Sequence, residues 1–72
     1  MTIKEFINEF TEFAELEETY PENQNLNDFD EWDSMTAMML IGFCSERLKK
    51  NITGEDLEKL NTYEEIFNHI HK

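Results

Sequence analysis

Asp33-Ser34-Met35-Thr36-Ala37-Met38-Met39-Leu40-Ile41-Gly42-Phe43-Cys44-Ser45-Glu46-Arg47-Leu48-Lys49-Lys50 is the stretch on which the reading of this chain turns. Asp33 is a good N-cap, the apolar residues after it have helical spacing, and Arg47, Lys49 and Lys50 put cations where a helix C-terminus favours them. The stretch predicts a helix from about Ser34 to Lys49. Ser34 then stands at the helix start, where backbone N–H groups and the helix dipole favour an attached phosphate. It reads as a serine to be modified rather than as a nucleophile.

The helix has more apolar residues than one buried stripe needs. Ala37, Leu40, Ile41, Cys44 and Leu48 follow the spacing of a core-facing stripe, while Met35, Met38 or Met39, and Gly42 form a second line that Glu46 continues. Such a helix is either buried all round, which is difficult in a small domain, or exposes one face to a partner. Methionine suits an adaptable contact surface and also serves as core filler, so Met35 and Met38 fit both roles. Gly42 costs about 1 kcal/mol relative to Ala in a helix interior, which calls for close packing, a kink or a partner approaching the backbone.

Working upstream, Thr2 and Glu5 have capping-box spacing, and the period of Ile3, Phe6, Ile7, Phe10, Phe13, Ala14 and Leu16 predicts a helix from about Ile3 to Leu16. Periodicity fades from Glu17 to Asp33, where Pro21, Asn23, Asn25, Asn27 and Asp28 supply turn chemistry, with a short helical turn near Leu26 to Phe29. A connection this long packs against or recognises something. Downstream, Thr53 with Asp56 and Thr62 with Glu65 repeat the capping spacing, ahead of a short helix near Glu55 to Leu60 and a last one from Tyr63 to about His71. With two Gly, one Pro, no Val and no sustained alternation, strands have little support. The expected fold is all-α, a small four-helix bundle with a short third helix, formed by residues 1–72 as a single domain.

The 72 residues allow one modest core and leave little room for an enclosed active site. Seventeen Asp and Glu against six Lys and Arg give a charge of −11, which repels nucleic acid and anionic membrane surfaces. Basic protein partners are the natural readers of such a surface, although acidic helix faces also serve solubility alone. Cys44 is the only cysteine, so neither an intrachain disulfide nor a Cys-based zinc site is expected, and its place on the apolar stripe reads as a small buried residue. No basic-then-apolar leader and no apolar run long enough to span a bilayer are found, and the expectation is a soluble cytoplasmic protein without membrane insertion.

Several chemistries are set aside. A serine hydrolase needs a general base and an oxyanion hole, and no Gly-x-Ser-x-Gly elbow or acid/base triad accompanies Ser34. His69 and His71 are two apart on a helix and so face different ways. Asp28, Asp30 and Asp33 have some calcium-loop spacing, but Trp32 takes the next alternate ligand position, the Gly turn is missing, and Met39 falls where a bidentate Glu belongs. Catalytic and metal-ligating residues are therefore not expected.

The chain resembles the acyl carrier proteins. That family's pattern is Asp-Ser-Leu opening the second helix of a small acidic four-helix bundle, and Asp33-Ser34-Met35 stands in that place with Met for Leu. The resemblance continues without a gap to Ile52, and again through Glu55-Asp56-Leu57-Glu58-Lys59-Leu60-Asn61-Thr62-Tyr63; the first helix and the loop agree in length and character. It implies a non-catalytic carrier in which Ser34, flanked by Asp33 and Met35, receives a 4′-phosphopantetheine arm from coenzyme A through a separate magnesium-using phosphopantetheinyl transferase. The arm's thiol would hold an acyl group as a thioester for acyl-loading and acyl-processing enzymes, with the carrier acting as a monomer. An aminoacyl or peptidyl carrier is the alternative cargo reading, disfavoured by Glu31-Trp32 where such carriers usually have Gly-Gly. An unmodified acidic helical interaction module is the alternative outside carrier function.

The departures bear on partners. From Ser34 to Lys50 the charge is +2, leaving −13 for the rest (−11 minus +2), because Thr36 and Met39 stand where the family commonly has acids. Partner recognition is accordingly expected from the acidic approach of Asp28, Asp30, Glu31 and Asp33 together with Met35, Met38, Met39, Gly42 and Glu46. Trp32 looks like the Trp-Asp-Ser variant of carriers in specialised lipid, polysaccharide or secondary-metabolite pathways, and it also has an immediate task in packing the loop on the bundle. Phe6, Phe10, Phe13, Phe43, Phe67 and Tyr63 supply most of the remaining core, and one or two of them would line any space for cargo.

Overall fold

The computed structural model describes residues 1–71, and the helices follow their caps closely. Helix α1 spans Ile3–Phe13. Its capping box is complete: Thr2 Oγ1 accepts from Glu5 N–H at 3.2 Å, and Glu5 Oε1 accepts from Thr2 N–H at 2.8 Å. It ends before Leu16. Glu15 turns left-handed at φ 55°, Leu16 N–H reaches back to Thr11 carbonyl at 3.0 Å, and Glu15 N–H to Glu12 carbonyl at 3.2 Å, the paired closure of a Schellman cap. Leu16 keeps the apolar period because the residue after such a cap packs back on the helix, not because the helix continues.

The loop that follows is stitched down. Leu26–Asp28 forms one 3₁₀ turn, capped by Asn25. Leu26 N–H donates to Asn61 carbonyl at 2.8 Å, and Glu64 N–H donates to Glu22 carbonyl at 3.0 Å, which fasten the loop to the start of the last helix. Tyr20 is buried and stacked on Phe29 with ring centroids 3.9 Å apart. Its hydroxyl donates to Glu31 Oε2 at 2.8 Å, while Glu31 Oε1 accepts from Glu17 N–H at 3.0 Å.

Helix α2 spans Ser34–Phe43 and runs on as a π turn over Cys44–Leu48, closed by Lys49 in the left-handed region at φ 57°. The predicted extent is met, but its last turns are wider than α. Helix α3 is Gly54–Lys59, with the Thr53–Asp56 capping box formed, and α4 is Tyr63–Ile70. Thr62 Oγ1 accepts from Glu65 N–H at 3.1 Å, but Glu65 Oε1 accepts from Asn61 N–H rather than from the cap residue itself. The fold is all-helical, and no strand occurs among the described residues.

The core is aromatic. Phe6, Phe10, Phe43 and Tyr63 are each fully buried, with Phe10 and Phe43 centroids 5.5 Å apart and Phe6 and Tyr63 edge-on at 6.0 Å. Helices α1, α2 and α4 supply it, together with Tyr20, Leu26 and Ile52 from the connections. Helix α3 buries no residue fully; Leu57 is its half-buried contact. Among the described residues the one ion pair joins α4 to α3, His69 Nε2 to Asp56 Oδ2 at 3.5 Å when the imidazole is protonated.

Candidate functional site

Ser34 is the first residue of α2 and is exposed. The turn that presents it is fixed from below. Asp33 Oδ1 accepts from Thr36 N–H at 2.9 Å, and the buried Thr36 hydroxyl is shared between Glu31 carbonyl at 2.8 Å and Asp33 Oδ1 at 3.1 Å. The Thr36 backbone donor, then its hydroxyl, hold the Asp33 carboxyl below the usual range, so it is ionised at neutral pH. Asp33 thereby takes a first-turn N–H, as its expected N-cap role requires. A group on Ser34 still meets the helix dipole, but beside an anion already in place.

Thr36 also differs from expectation in placement. It points inward and pins the loop, so the acid missing at this position is missing from beneath the cap and not from an outer face. The core stripe of α2 is Thr36, Leu40, Phe43 and Cys44, one step around from the predicted set: Leu40 and Cys44 are shared, whereas Ala37 and Ile41 are half-buried. The reason is the loop and α1, which cover the Thr36 side. Burial pushes the Cys44 thiol up to about 11, which keeps it protonated and unreactive.

Ala37 and Ile41 instead line an open groove of about 520 Å³ between α2 and α3. Ser34 stands at its wall with Asp33, Trp32 and Met38; Leu57, Gly54 and Glu58 face them from α3, and Asn27 closes one end. The lining mixes apolar Ala37, Met38, Ile41 and Leu57 with polar Asn27, Asp33, Ser34 and Glu58. Sequence reading missed the α3 side of this groove, because only the apolar Leu57 within an otherwise polar turn hinted that α3 faces anything.

The expected partner-contact residues separate. Met35 and Met38 are strongly exposed, at 65% and 69%, and flank Ser34. Met39 is half-buried against the core, so it belongs to the fold as much as to a surface. Gly42 is half-buried, yet a Cβ added there would meet nothing within 4 Å, which removes close packing inside the chain as its reason. Glu46 is exposed on the π turn, far down the helix from Ser34. Asp28 and Asp30 are exposed on the loop, whereas Glu31 is half-buried with both oxygens engaged inside the fold. His69 and His71 lie on α4 and at its end, away from the groove, and no metal-binding cluster of His, Cys, Asp and Glu occurs among the described residues.

One further polar group matters. The Tyr63 hydroxyl is buried without a hydrogen-bond partner, a condition that costs about 1–3 kcal/mol. Burial, with Tyr20 and Glu31 nearby, raises its pKa well above the usual phenol range.

No protein-family model and no curated protein sequence matches this chain. Among solved structures, its backbone is similar to a small helical carrier. That structure is the solution NMR structure of a holo acyl carrier protein from Geobacter metallireducens, matched with a TM-score of 0.77 over 97% of this chain and 82% of that chain, at 21% identity. At that identity the likeness establishes the fold: this chain has the acyl carrier protein fold.

Proposed function

We propose that the protein is a phosphopantetheine carrier in which Ser34 holds the arm. The observation that carries the reading is the exposed Ser34 at the start of α2, beside a groove lined in part by apolar side chains, on the acyl carrier protein fold. These residues suit a phosphate-linked arm: the hydroxyl is accessible to a modifying enzyme, and α2 with its π turn provides a long dipole behind it. In the modification the Ser34 oxygen attacks the pantetheine-side phosphorus of coenzyme A, its proton passes to the transferase, and 3′,5′-ADP leaves. The arm supplies a terminal thiol that holds acyl groups as thioesters.

The chain's own residues orient and present the arm. Asp33 and Thr36 fix the turn, so the Ser34 oxygen leaves the helix in one direction. The groove formed by Ala37, Ile41 and Leu57 gives the arm an apolar bed, and tethering raises the effective concentration of cargo at a docked enzyme. Docking falls to Asp28, Asp30 and Asp33 as the charged approach, with Met35 and Met38 as the apolar ridge; Met39, Gly42 and Glu46 extend that side of α2. The partners are a phosphopantetheinyl transferase, then acyl-loading and acyl-processing enzymes of a specialised pathway in the cytoplasm, met by a monomeric, non-catalytic single domain.

Incubation with coenzyme A, magnesium and a broad-specificity transferase is expected to add the phosphopantetheine mass to the wild type and not to Ser34→Ala. An unchanged intact mass across several transferases overturns the carrier reading in favour of an unmodified interaction module.

A further inference from the structure

Glu31 stands among the acids expected to meet partners, yet its carboxylate is engaged inside the fold. The Tyr20 hydroxyl donates to Glu31 Oε2 at 2.8 Å and Glu17 N–H donates to Oε1 at 3.0 Å, so the segment that follows α1 holds both oxygens. These donors, the Glu17 backbone first and then the Tyr20 hydroxyl, keep the carboxyl below its usual range. Burial, and then this bond to Glu31, raises the pKa of Tyr20, which stays a donor. A half-buried carboxylate in a chain of charge −11 is a costly anchor for a loop when a neutral side chain could serve, and it calls for a reason.

Both the side chain and the backbone of Glu31 are in use. Its carbonyl accepts the hydroxyl of buried Thr36 at 2.8 Å, and that hydroxyl also meets Asp33 Oδ1 at 3.1 Å, the same oxygen that caps Thr36 N–H at 2.9 Å. A continuous strap therefore runs from Tyr20 and Glu17 through Glu31 to Thr36 and Asp33, which bracket Ser34. Tyr20 grips the approach a second time: its ring stacks on Phe29 at 3.9 Å and 9°, and Trp32 N–H closes onto the Phe29 carbonyl at 3.1 Å. Without the anchor the Glu31 peptide is free to turn. The Thr36 hydroxyl then loses the shorter of its two bonds, and the cap at Asp33 keeps only local support.

We infer that Glu31 is a positioning residue for the modification of Ser34: anchored by Tyr20, it sets the direction in which the Ser34 oxygen is offered to the transferase. This rests on the carrier reading of Ser34. Glu31 acts through Thr36 and Asp33 rather than by contact with the reacting atoms. Attack on the phosphorus of coenzyme A needs the serine oxygen in line with the leaving group, and a misplacement of about 1 Å can cost about a hundredfold in rate.

Three variants test it. Tyr20→Phe removes the hydroxyl and keeps the ring on Phe29, Glu31→Ala removes the carboxylate, and Glu31→Gln keeps one acceptor oxygen. Each is assayed with coenzyme A, magnesium and a broad-specificity transferase at a temperature where circular dichroism shows it folded, and exchange of the Thr36 amide is followed by NMR. Tyr20→Phe and Glu31→Ala are expected to lower kcat about tenfold with KM for the carrier unchanged, and to speed Thr36 exchange about tenfold; Glu31→Gln is expected to fall between Glu31→Ala and the wild type. Tyr20→Phe carries the comparison if Glu31→Ala does not fold. A wild-type kcat in the folded variants overturns the inference, because a residue that serves stability alone has no effect once the protein is folded. A loss confined to KM also overturns it, by making Glu31 a docking residue, and so does a Glu31→Gln no better than Glu31→Ala. If the wild type takes no arm, the carrier reading is what fails; Thr36 exchange then still decides whether the strap holds the turn, and unchanged exchange in Tyr20→Phe rules it out.

Discussion

On its inner side α2, with its π turn, sets Thr36, Leu40, Phe43 and Cys44 into the core, each at most 5% exposed, with Phe43 packed on the Phe6 and Phe10 rings of α1. Its other side sets Ser34, Ala37, Met38 and Ile41 along an open groove against α3, a helix of six residues with none fully buried. One helix thus serves two seams of different quality. Apolar area buried in the first supplies the stability of a small domain, and the second is free to yield because little area is lost when it opens. Ser34, the proposed attachment point of the arm, stands on the seam that yields.

Substitutions in the two seams should separate by size. Phe43→Ala is expected to cost about 3–5 kcal/mol, close to the whole stability of a domain this small, at about 0.05–0.15 kcal/mol per residue, and so to unfold it. Leu57→Ala should cost about 1 kcal/mol in urea denaturation and leave a folded protein. Comparable losses at the two sites would break the contrast. Gly42→Ala should sharpen it by gaining about 0.5–1 kcal/mol, since the added methyl meets nothing and the helix loses a flexible residue; a loss would mean that Gly42 is needed for the change of pitch at Cys44.

The smallest effect concerns the cap at the head of the open seam. Asp33 is ionised with its folded pKa held down, so its contribution to stability is complete above the unfolded carboxylate pKa, about 3.9, and is lost as pH falls through the lower folded value. Asp33→Asn keeps a good capping oxygen but does not titrate. Stability near pH 7 should change little, while its decline in acid becomes shallower. An unaltered acid limb would assign that decline to Glu5, Glu31 and Asp56, whose carboxyls are also held low by hydrogen bonds.

What the sequence disclosed was local. Thr2, Asp33, Thr53 and Thr62 mark their helices because a cap depends on residues within three positions, and all four act as caps. The end of α1 was not legible, because Glu15 adopts the left-handed turn without the glycine that usually announces it. The site divides in the same way. Ser34 and Asp33 could be read from their own neighbourhood, but the burial of Thr36 depends on Glu31 carbonyl folding over it, and the groove depends on where α3 lands. Both are tertiary facts. The unspent hydroxyl of Tyr63 lay further out of reach, because the sequence shows a core aromatic and not what surrounds its tip.

The π turn at Cys44–Leu48 makes α2 a helix with a splice point. A π turn houses one residue more than the α-helical turn it replaces, so chain length is adjustable there by a single insertion or deletion. Removal of one residue would rewind the turn as α and disturb the place of Arg47 over Phe13, where the guanidinium now lies 5.5 Å from the ring centre. Ser34, Trp32 and the groove would keep their angular register. The tail of this helix is therefore free to drift in evolution while its head stays in phase.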